Sequence, residues 1–248
     1  MPQALCQQPT APVFRLNPDL DIAALAKEYA ANTRVRINRL LADDGLAEFY
    51  DDLEAREDWW HLMSAATGVI ELDRETRAAM TPERRAALDT EVHAVSRKRF
   101  GYRYEGLRVP DDEERLAGDP LTDFAELMQS EPMLDMLRTV TGATELAFTD
   151  GQATAYGPGD FLTCHDDNVA GKNRLAAYVF GMTPGWRPEY GGVLLFHGAD
   201  HGTVTGHVPR FNTLDLFAVP QLHSVSMVTP AAPGRRYAVT GWLRAGSR

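Results

Sequence analysis

Cysteine is nearly absent: Cys6 and Cys164 are the two in 248 residues, too few for a disulfide framework, and the chain is expected to suit a reducing cytoplasm. Long apolar runs are missing, so no bilayer span and no membrane partner are expected. The opening MPQALCQQPTAPVF has neither the basic start nor the apolar stretch of a secretory leader. Basic charge is also scarce. A formal net charge of -10 speaks against a nucleic-acid partner, because phosphate binding needs a concentrated basic field. There is no nucleophile elbow, no glycine-rich phosphate loop and no Cys-x-x-Cys pair, which removes the chemistries those motifs serve. Internal repeats and low-complexity segments are absent too.

What is present is 44% hydrophobic residues in one chain of 248, enough for a substantial core. The pattern predicts a single domain, with residues 1–142 as a mainly helical support and 143–248 as the β core that carries the site. Met1–Pro12 reads as a frayed tail. In NPDLDIAALAKEYAAN, cap-forming Asn and Asp precede good helix formers, predicting a helix over Asp19–Ala31. Thr33–Ile37 is rich in β-branched residues and predicts a strand, and Asp43–Glu54 carries Leu46, Phe49, Tyr50 and Leu53 at helical spacing. Trp59 and Trp60 read as core surface. Thr81-Pro82 opens a helix reaching about Arg99, and Leu121–Val140 reads as two short helices divided at Pro132. Between them LRVPDDEERLAGDP, Leu107–Pro120, reads as a loop, either a plain surface insertion or a substrate lid.

After Gly142 the texture changes to eight short β-prone runs divided by Gly and Pro: Glu145–Tyr156, Phe161–Asp167, Arg174–Met182, Gly192–Phe196, Thr203–His207, Thr213–Val219, His223–Val228 and Arg236–Leu243. Eight such runs suit a jelly roll with the preceding helices on one sheet.

The run FLTCHDD ends in a histidine and a carboxylate two residues apart. Side chains alternate along an extended strand, so His165 and Asp167 would share one face and Asp166 the other. Two ligands are too few for a metal. A histidine on a later strand, His223, would complete the two-histidine, one-carboxylate facial set of non-haem Fe(II) oxygenases; without it the pair is an ordinary hydrogen-bonded His–Asp. A second cluster, His197, Asp200, His201 and His207, reads better as a polar hairpin around Gly198 and Gly202 than as a metal site. In RYAVTGW, alternation sets Arg236, Ala238, Thr240 and Trp242 on one face and Arg235 on the other; by itself, Arg236 reads as an edge-strand arginine in solvent.

Taken in order, YGPGDFLTCHDD, RLAAYVFGMTPGW, GGVLLF, PRFNTLDLF, HSVSMV and RRYAVTGW resemble the 2-oxoglutarate and Fe(II)-dependent oxygenases of the prolyl-hydroxylase type, and within them the ribosomal-protein prolyl hydroxylases. The resemblance covers Tyr156–Trp242 well and Val35–Trp60 loosely. It implies a mainly β fold with N-terminal helices, a double-stranded β-helix (jelly roll) with iron at its open end. His165, Asp167 and His223 match the metal ligands, and Arg236 matches the arginine that pairs with the distal carboxylate of 2-oxoglutarate. Tyr156 matches a cosubstrate-pocket tyrosine; Asn212 matches a recurring position of structural or supporting role near the cosubstrate. The implied cofactors are Fe(II), 2-oxoglutarate and O2, with ascorbate as an optional reductant. The implied activity is a dioxygenase that hydroxylates a prolyl or similar residue of a protein, or an amino-acid-like small molecule, giving succinate and CO2. The alternative is an inactive jelly-roll module that binds a carboxylate or peptide. Halogenation is disfavoured because Asp167 stands where a halide would bind. One departure stands out: Gly181 occupies the place of a family tyrosine, Tyr178 has the wrong parity to replace it, and either Thr183 or water is expected to fill the gap or the pocket is enlarged. Cys164 is expected to point away from the metal into the core.

Overall fold

The computed structural model describes residues 14–42, 45–109, 118–200 and 202–246. Cys6, the Met1–Pro12 tail and His201 lie outside the described residues, as does most of the Leu107–Pro120 loop.

Among the described residues, six α-helices begin and end where local chemistry dictates. α1 (Ile22–Asn32) is capped by the Asp21 carboxylate, which accepts from the Ala24 amide, and ends at Thr33 in the left-handed region. α2 is Leu46–Ala55 and α3 is Arg74–Ala79. α4 (Pro82–Ser96) has Thr81 as its cap and proline in its first turn. α5 (Pro120–Gln129) uses Asp119 in the same way, and α6 (Glu131–Thr141) stops at left-handed Gly142.

Among the described residues, twelve strands follow or intervene. In chain order they are β1 (Arg34–Asn38), β2 (Trp60–Ala65), β3 (Gly68–Asp73), β4 (Tyr102–Arg108), β5 (Leu146–Tyr156), β6 (Phe161–His165), β7 (Arg174–Gly181), β8 (Leu194–His197), β9 (Val204–His207), β10 (Thr213–Ala218), β11 (His223–Val225) and β12 (Arg236–Ala245). All eight runs expected after Gly142 are strands. The reading missed β2, β3 and β4, and Leu107 and Arg108 are the end of β4 rather than loop.

The strands pair in the order β1-β10-β7-β12-β5-β4-β6-β11-β8-β9, with the β2–β3 hairpin on β4. This ribbon is rolled on itself. Ala177, Val179 and Ala238 of β7 and β12 pack against Leu194 and Phe196 of β8, although these strands stand far apart in the pairing order. β4 makes the corner: Glu105–Arg108 pair with β5, while Tyr102 and Arg103 pair with β6. The result is the double-stranded β-helix.

The opposite face of the large sheet carries the main core. Phe180, Leu214, Leu216, Val239 and Leu243 pack under Leu46, Phe49, Leu53, Phe124 and Leu137 of the helices. Phe14, Phe49, Phe124 and Phe180 form a chain of ring contacts, the last at 4.8 Å. Each such fully buried side chain contributes roughly 1.5–3 kcal/mol. Trp59 is fully buried as expected, but Trp60 is 46% exposed, because alternation along β2 turns it outward.

Buried charge fixes the corner strand. Odd residues of β4 face away from the barrel interior, where Arg103 meets Asp160 at 3.0 Å. Glu105 is fully buried beneath Arg74 (2.9 Å), Arg77 (3.1 Å) and Arg235 (3.0 Å). Removing one partner of such a group leaves an uncompensated charge, typically a loss of about 3–5 kcal/mol.

Candidate metal and cosubstrate site

Antiparallel pairing of β6 with β11 sets His223 opposite His165, and their rings lie 4.1 Å apart. Asp167 joins them by a route other than the one expected. β6 ends at His165, and Asp167 sits just beyond it with φ +61°, so a left-handed residue, not strand alternation, turns the carboxylate back. Asp167 Oδ1 is 3.5 Å from His165 Nε2, and its Oδ2 is 3.4 Å from His223 Nε2. One ligand atom from each residue lies within 4.8 Å of the others, and this is the one such group of three among the described residues.

The backbone sets the imidazoles for ligation. His165 Nδ1 is 3.0 Å from the Thr163 carbonyl oxygen, and His223 Nδ1 is 2.7 Å from that of Gln221. Carbonyl oxygens only accept, so each Nδ1 carries the proton and each Nε2 presents its lone pair beside Asp167. Burial, aided by neighbouring His165, holds His223 down at about 4 from an ordinary 6.5; it is neutral at pH 7. Burial works to raise the Asp167 carboxyl, but the two imidazoles outweigh it and the group sits below its usual value. Two neutral nitrogens and one carboxylate fit a divalent iron. Arg174 steadies the carboxylate residue: its guanidinium donates to the Asp167 carbonyl (3.0 Å) and lies 3.5 Å from the centre of the Trp242 ring.

The three residues open into a cavity of about 410 Å³ that also reaches Tyr104, Tyr156, Arg236 and Trp242. Arg236 is 3% exposed. Its Nε has no hydrogen-bond partner, and no carboxylate among the described residues forms an ion pair with it. Its nearest compensation is the face of Tyr156, 5.2 Å from the guanidinium carbon. A buried guanidinium without an anion is costly unless something negative shares the cavity. Arg235 lies on the other side of β12, paired with Glu105.

A wall of rings links the two ends of the cavity. Phe100 stands 5.0 Å from His165, Tyr102 is 5.6 Å from Phe100, Tyr104 is 5.5 Å from Tyr102, and Tyr156 stacks on Tyr104 at 5.2 Å. Reading the sequence missed Phe100, Tyr102, Tyr104 and Arg174. The Tyr-Arg-Tyr-Glu alternation of β4 is the signal that exposes the tyrosines.

Three expectations around the cosubstrate pocket change. A Cβ built on Gly181 would meet the Arg210 carbonyl oxygen at 2.3 Å, so the backbone of the neighbouring segment occupies the place of the family tyrosine. Thr183 does not fill the gap, because its hydroxyl exchanges hydrogen bonds with the Tyr237 backbone (3.2 and 2.6 Å). Asn212 is not a cavity residue: its amide accepts from the Leu41 N–H (3.0 Å) and donates to the Leu41 carbonyl (2.8 Å), which is the structural role. Cys164 is part-exposed rather than core, and burial with nearby Asp166 raises its thiol. In the His197–His207 hairpin, Asp200 accepts from the Gly202 and Thr203 amides and His207 bonds Asp215 at 2.7 Å, as a polar turn does.

Residues 151–244, which run from β5 to β12, match the family model of the 2OG-Fe(II) oxygenase superfamily. That match covers 94 of the 248 residues. A prolyl 3-hydroxylase, OGFOD1 of Xenopus laevis, is 32% identical over 129 residues, covering 49% of this chain and 23% of that protein; the chain thus spans under a quarter of the length of the curated relative it matches. Among solved structures, a Trichoplax adhaerens prolyl hydroxylase in complex with a hypoxia inducible factor oxygen degradation domain peptide fragment superposes with TM-score 0.62 at 16% identity, over 90% of this chain and 89% of that one. A Pseudomonas putida prolyl-4-hydroxylase does so with TM-score 0.57 at 18% identity, over 91% and 100%. At these identities the structural likeness is one of fold. Among the described residues no helix is long and apolar enough to cross a membrane.

Proposed function

We propose that the protein is a 2-oxoglutarate- and Fe(II)-dependent dioxygenase that hydroxylates a prolyl or similar residue of a polypeptide. The observation that carries the reading is the pairing, within one cavity, of a His-Asp-His group with a buried guanidinium that has no ion-pair partner among the described residues. Bound together, Fe(II) and 2-oxoglutarate supply O2-dependent oxidation of a C–H bond, with succinate and CO2 as co-products. His165, Asp167 and His223 would hold the metal. Arg236 would take the distal carboxylate with its planar fork, in a pocket whose apolar walls, Leu162, Leu194 and Val225, exclude water and strengthen the ion pair. Tyr156, whose phenol burial raises far above its usual range, stays protonated and presents its ring to Arg236.

A polypeptide target is supported by the relatives, one a prolyl 3-hydroxylase and one solved with a peptide. A free amino-acid-like substrate is the second option for the same site. The inactive-module alternative is disfavoured by the complete ligand set.

The test is calorimetric and chemical. The purified chain should bind one Fe(II), or Mn(II) as an inert surrogate, and convert 2-oxoglutarate to succinate under O2 with ascorbate present. Alanine at His165, Asp167 or His223 should abolish both. Wild-type protein that binds neither metal nor 2-oxoglutarate would return the module reading.

A further inference from the structure

Nearly every buried or half-buried arginine in this acidic chain is tied to a carboxylate: Arg36 to Asp215, Arg56 to Asp119, Arg74 and Arg77 to Glu105, Arg103 to Asp160, Arg244 to Asp150. The exposed cations include one consecutive run. Where α4 ends, Arg97, Lys98, Arg99 and Phe100 follow one another, and all four are exposed. Among the described residues none of the three cations forms an ion pair. Arg99 instead donates to the Ala65 and Ala66 carbonyls (2.7 and 3.1 Å), which pins this corner against the β2–β3 turn and leaves its charge unneutralised.

The stretch borders the metal cavity. Phe100 lines the mouth, 5.0 Å from His165, yet is 46% exposed; Val169, on the β6–β7 connection and also lining the mouth, is 47% exposed. Large apolar side chains left in water at the rim of a cleft mark a contact surface. Lys172 is exposed on the same connection, and Asp166 is the one acidic group on the rim besides Asp167.

We propose that this corner docks an acidic polypeptide segment, with two or three consecutive carboxylates against Arg97, Lys98 and Arg99 and an apolar residue seated on Phe100 beside the metal site. The direction in which the segment feeds rests on the dioxygenase reading; the docking itself does not. A nucleic acid is the poorer fit, because a phosphate backbone asks for an extended basic field, whereas this chain carries -10 overall and offers apolar side chains at the contact.

Fluorescence anisotropy on the full chain in EDTA, at low salt, separates the cases. The probes are labelled peptides of sequence Glu-Glu-Glu-Ala-Pro-Ala-Ala, its Gln and Lys counterparts, and a twelve-nucleotide oligothymidylate. The Glu peptide should bind about tenfold tighter than the Gln peptide, an advantage that fades at high salt, and the Lys peptide weakest. The double variant R97E/K98E should reverse the order of the Glu and Lys peptides, and F100A should weaken the Glu and Gln peptides alike; melting curves verify that both variants are folded. Equal binding of the three peptides, no detectable binding of the Glu peptide, or an unchanged order in R97E/K98E would overturn the proposal. Oligothymidylate binding tighter than the Glu peptide would assign the corner to nucleic acid instead. Because metal is absent throughout, peptide docking in a protein that never turns over 2-oxoglutarate would sink the dioxygenase reading and leave this one standing.

Discussion

Replacing Arg236 by glutamine removes a guanidinium that is 3% exposed, has an unpartnered Nε and forms no ion pair among the described residues, and the consequences for binding and for folding should carry opposite signs. With the dicarboxylate bound, the variant leaves an anion in a desolvated pocket without its charged partner, a loss of about 2–5 kcal/mol. That corresponds to a 2-oxoglutarate KM or Kd raised by at least about 30-fold. In the ligand-free chain the same change relieves an unpaired buried charge and forfeits a cation–π contact with Tyr156 at 5.2 Å, itself about 0.5–2 kcal/mol. The free variant should therefore melt no lower than the wild type, whereas saturating 2-oxoglutarate should raise the melting temperature of the wild type alone.

Two controls make the reasoning refutable. Arg236→Lys should recover part of the affinity, since an ammonium supplies charge but not the bidentate fork. Arg235→Gln should leave 2-oxoglutarate affinity unchanged, because Arg235 is 38% exposed at its side chain and serves Glu105, which two other arginines also hold. Calorimetric titration of 2-oxoglutarate with Mn(II) present, alongside thermal melts, reads all three variants. If Arg236→Gln binds like wild type, the pocket does not hold the distal carboxylate; if it binds weakly only because the free chain melts several degrees lower, Arg236 is a structural residue.

Burial with neighbouring His165 holds the His223 imidazole down at about 4, so between pH 6.5 and 4 the unfolded chain takes up a proton that the folded chain refuses. The metal-free protein should be at full stability above pH 6.5 and lose about 3 kcal/mol as the pH falls toward 4; urea midpoints that stay level in wild type, or fall equally in His223→Asn, would refute this. Gly181→Ala forces a Cβ to 2.3 Å from the Arg210 carbonyl oxygen and should cost about 1–3 kcal/mol, read by denaturant unfolding, and a variant as stable as wild type would show that the Arg210 segment yields freely.

The eight strands after Gly142 were legible because turn residues divide short β-prone runs; strand parity then separated Arg236 from Arg235, and the family resemblance set Arg236 inward. β4 was not, for a physical reason. Its outward residues Arg103 and Glu105 are charged yet 8% and 0% exposed, since arginines and carboxylates from other elements neutralise them. A sequence shows charge but not compensation, so a buried strand reads there as a polar one. Trp60 failed for another reason: equal in kind to buried Trp59, it lies on the opposite face of the chain as β2 begins.

The site itself was legible as a set of residue types more than as a geometry. Alternation along FLTCHDD suggested the right pair for an incomplete reason, because the strand stops at His165 and a left-handed φ at Asp167 completes the convergence. That conformation costs a non-glycine residue roughly 1–3 kcal/mol, and it persists where surrounding structure imposes it. Here Arg174 holds the Asp167 carbonyl at 3.0 Å and the two imidazoles meet its carboxylate oxygens. The turn is thus strained in the sense expected of a group arranged for a ligand, and the same reasoning joins the two ends of the cavity. Three ligand groups converge at one end, where Arg174 lies 3.5 Å from the Asp167 carboxylate, and Arg236 is buried at the other with no ion-pair partner among the described residues. A metal with a dicarboxylate between them would serve both ends at once, whereas a bare carboxylate-binding module would serve one end only.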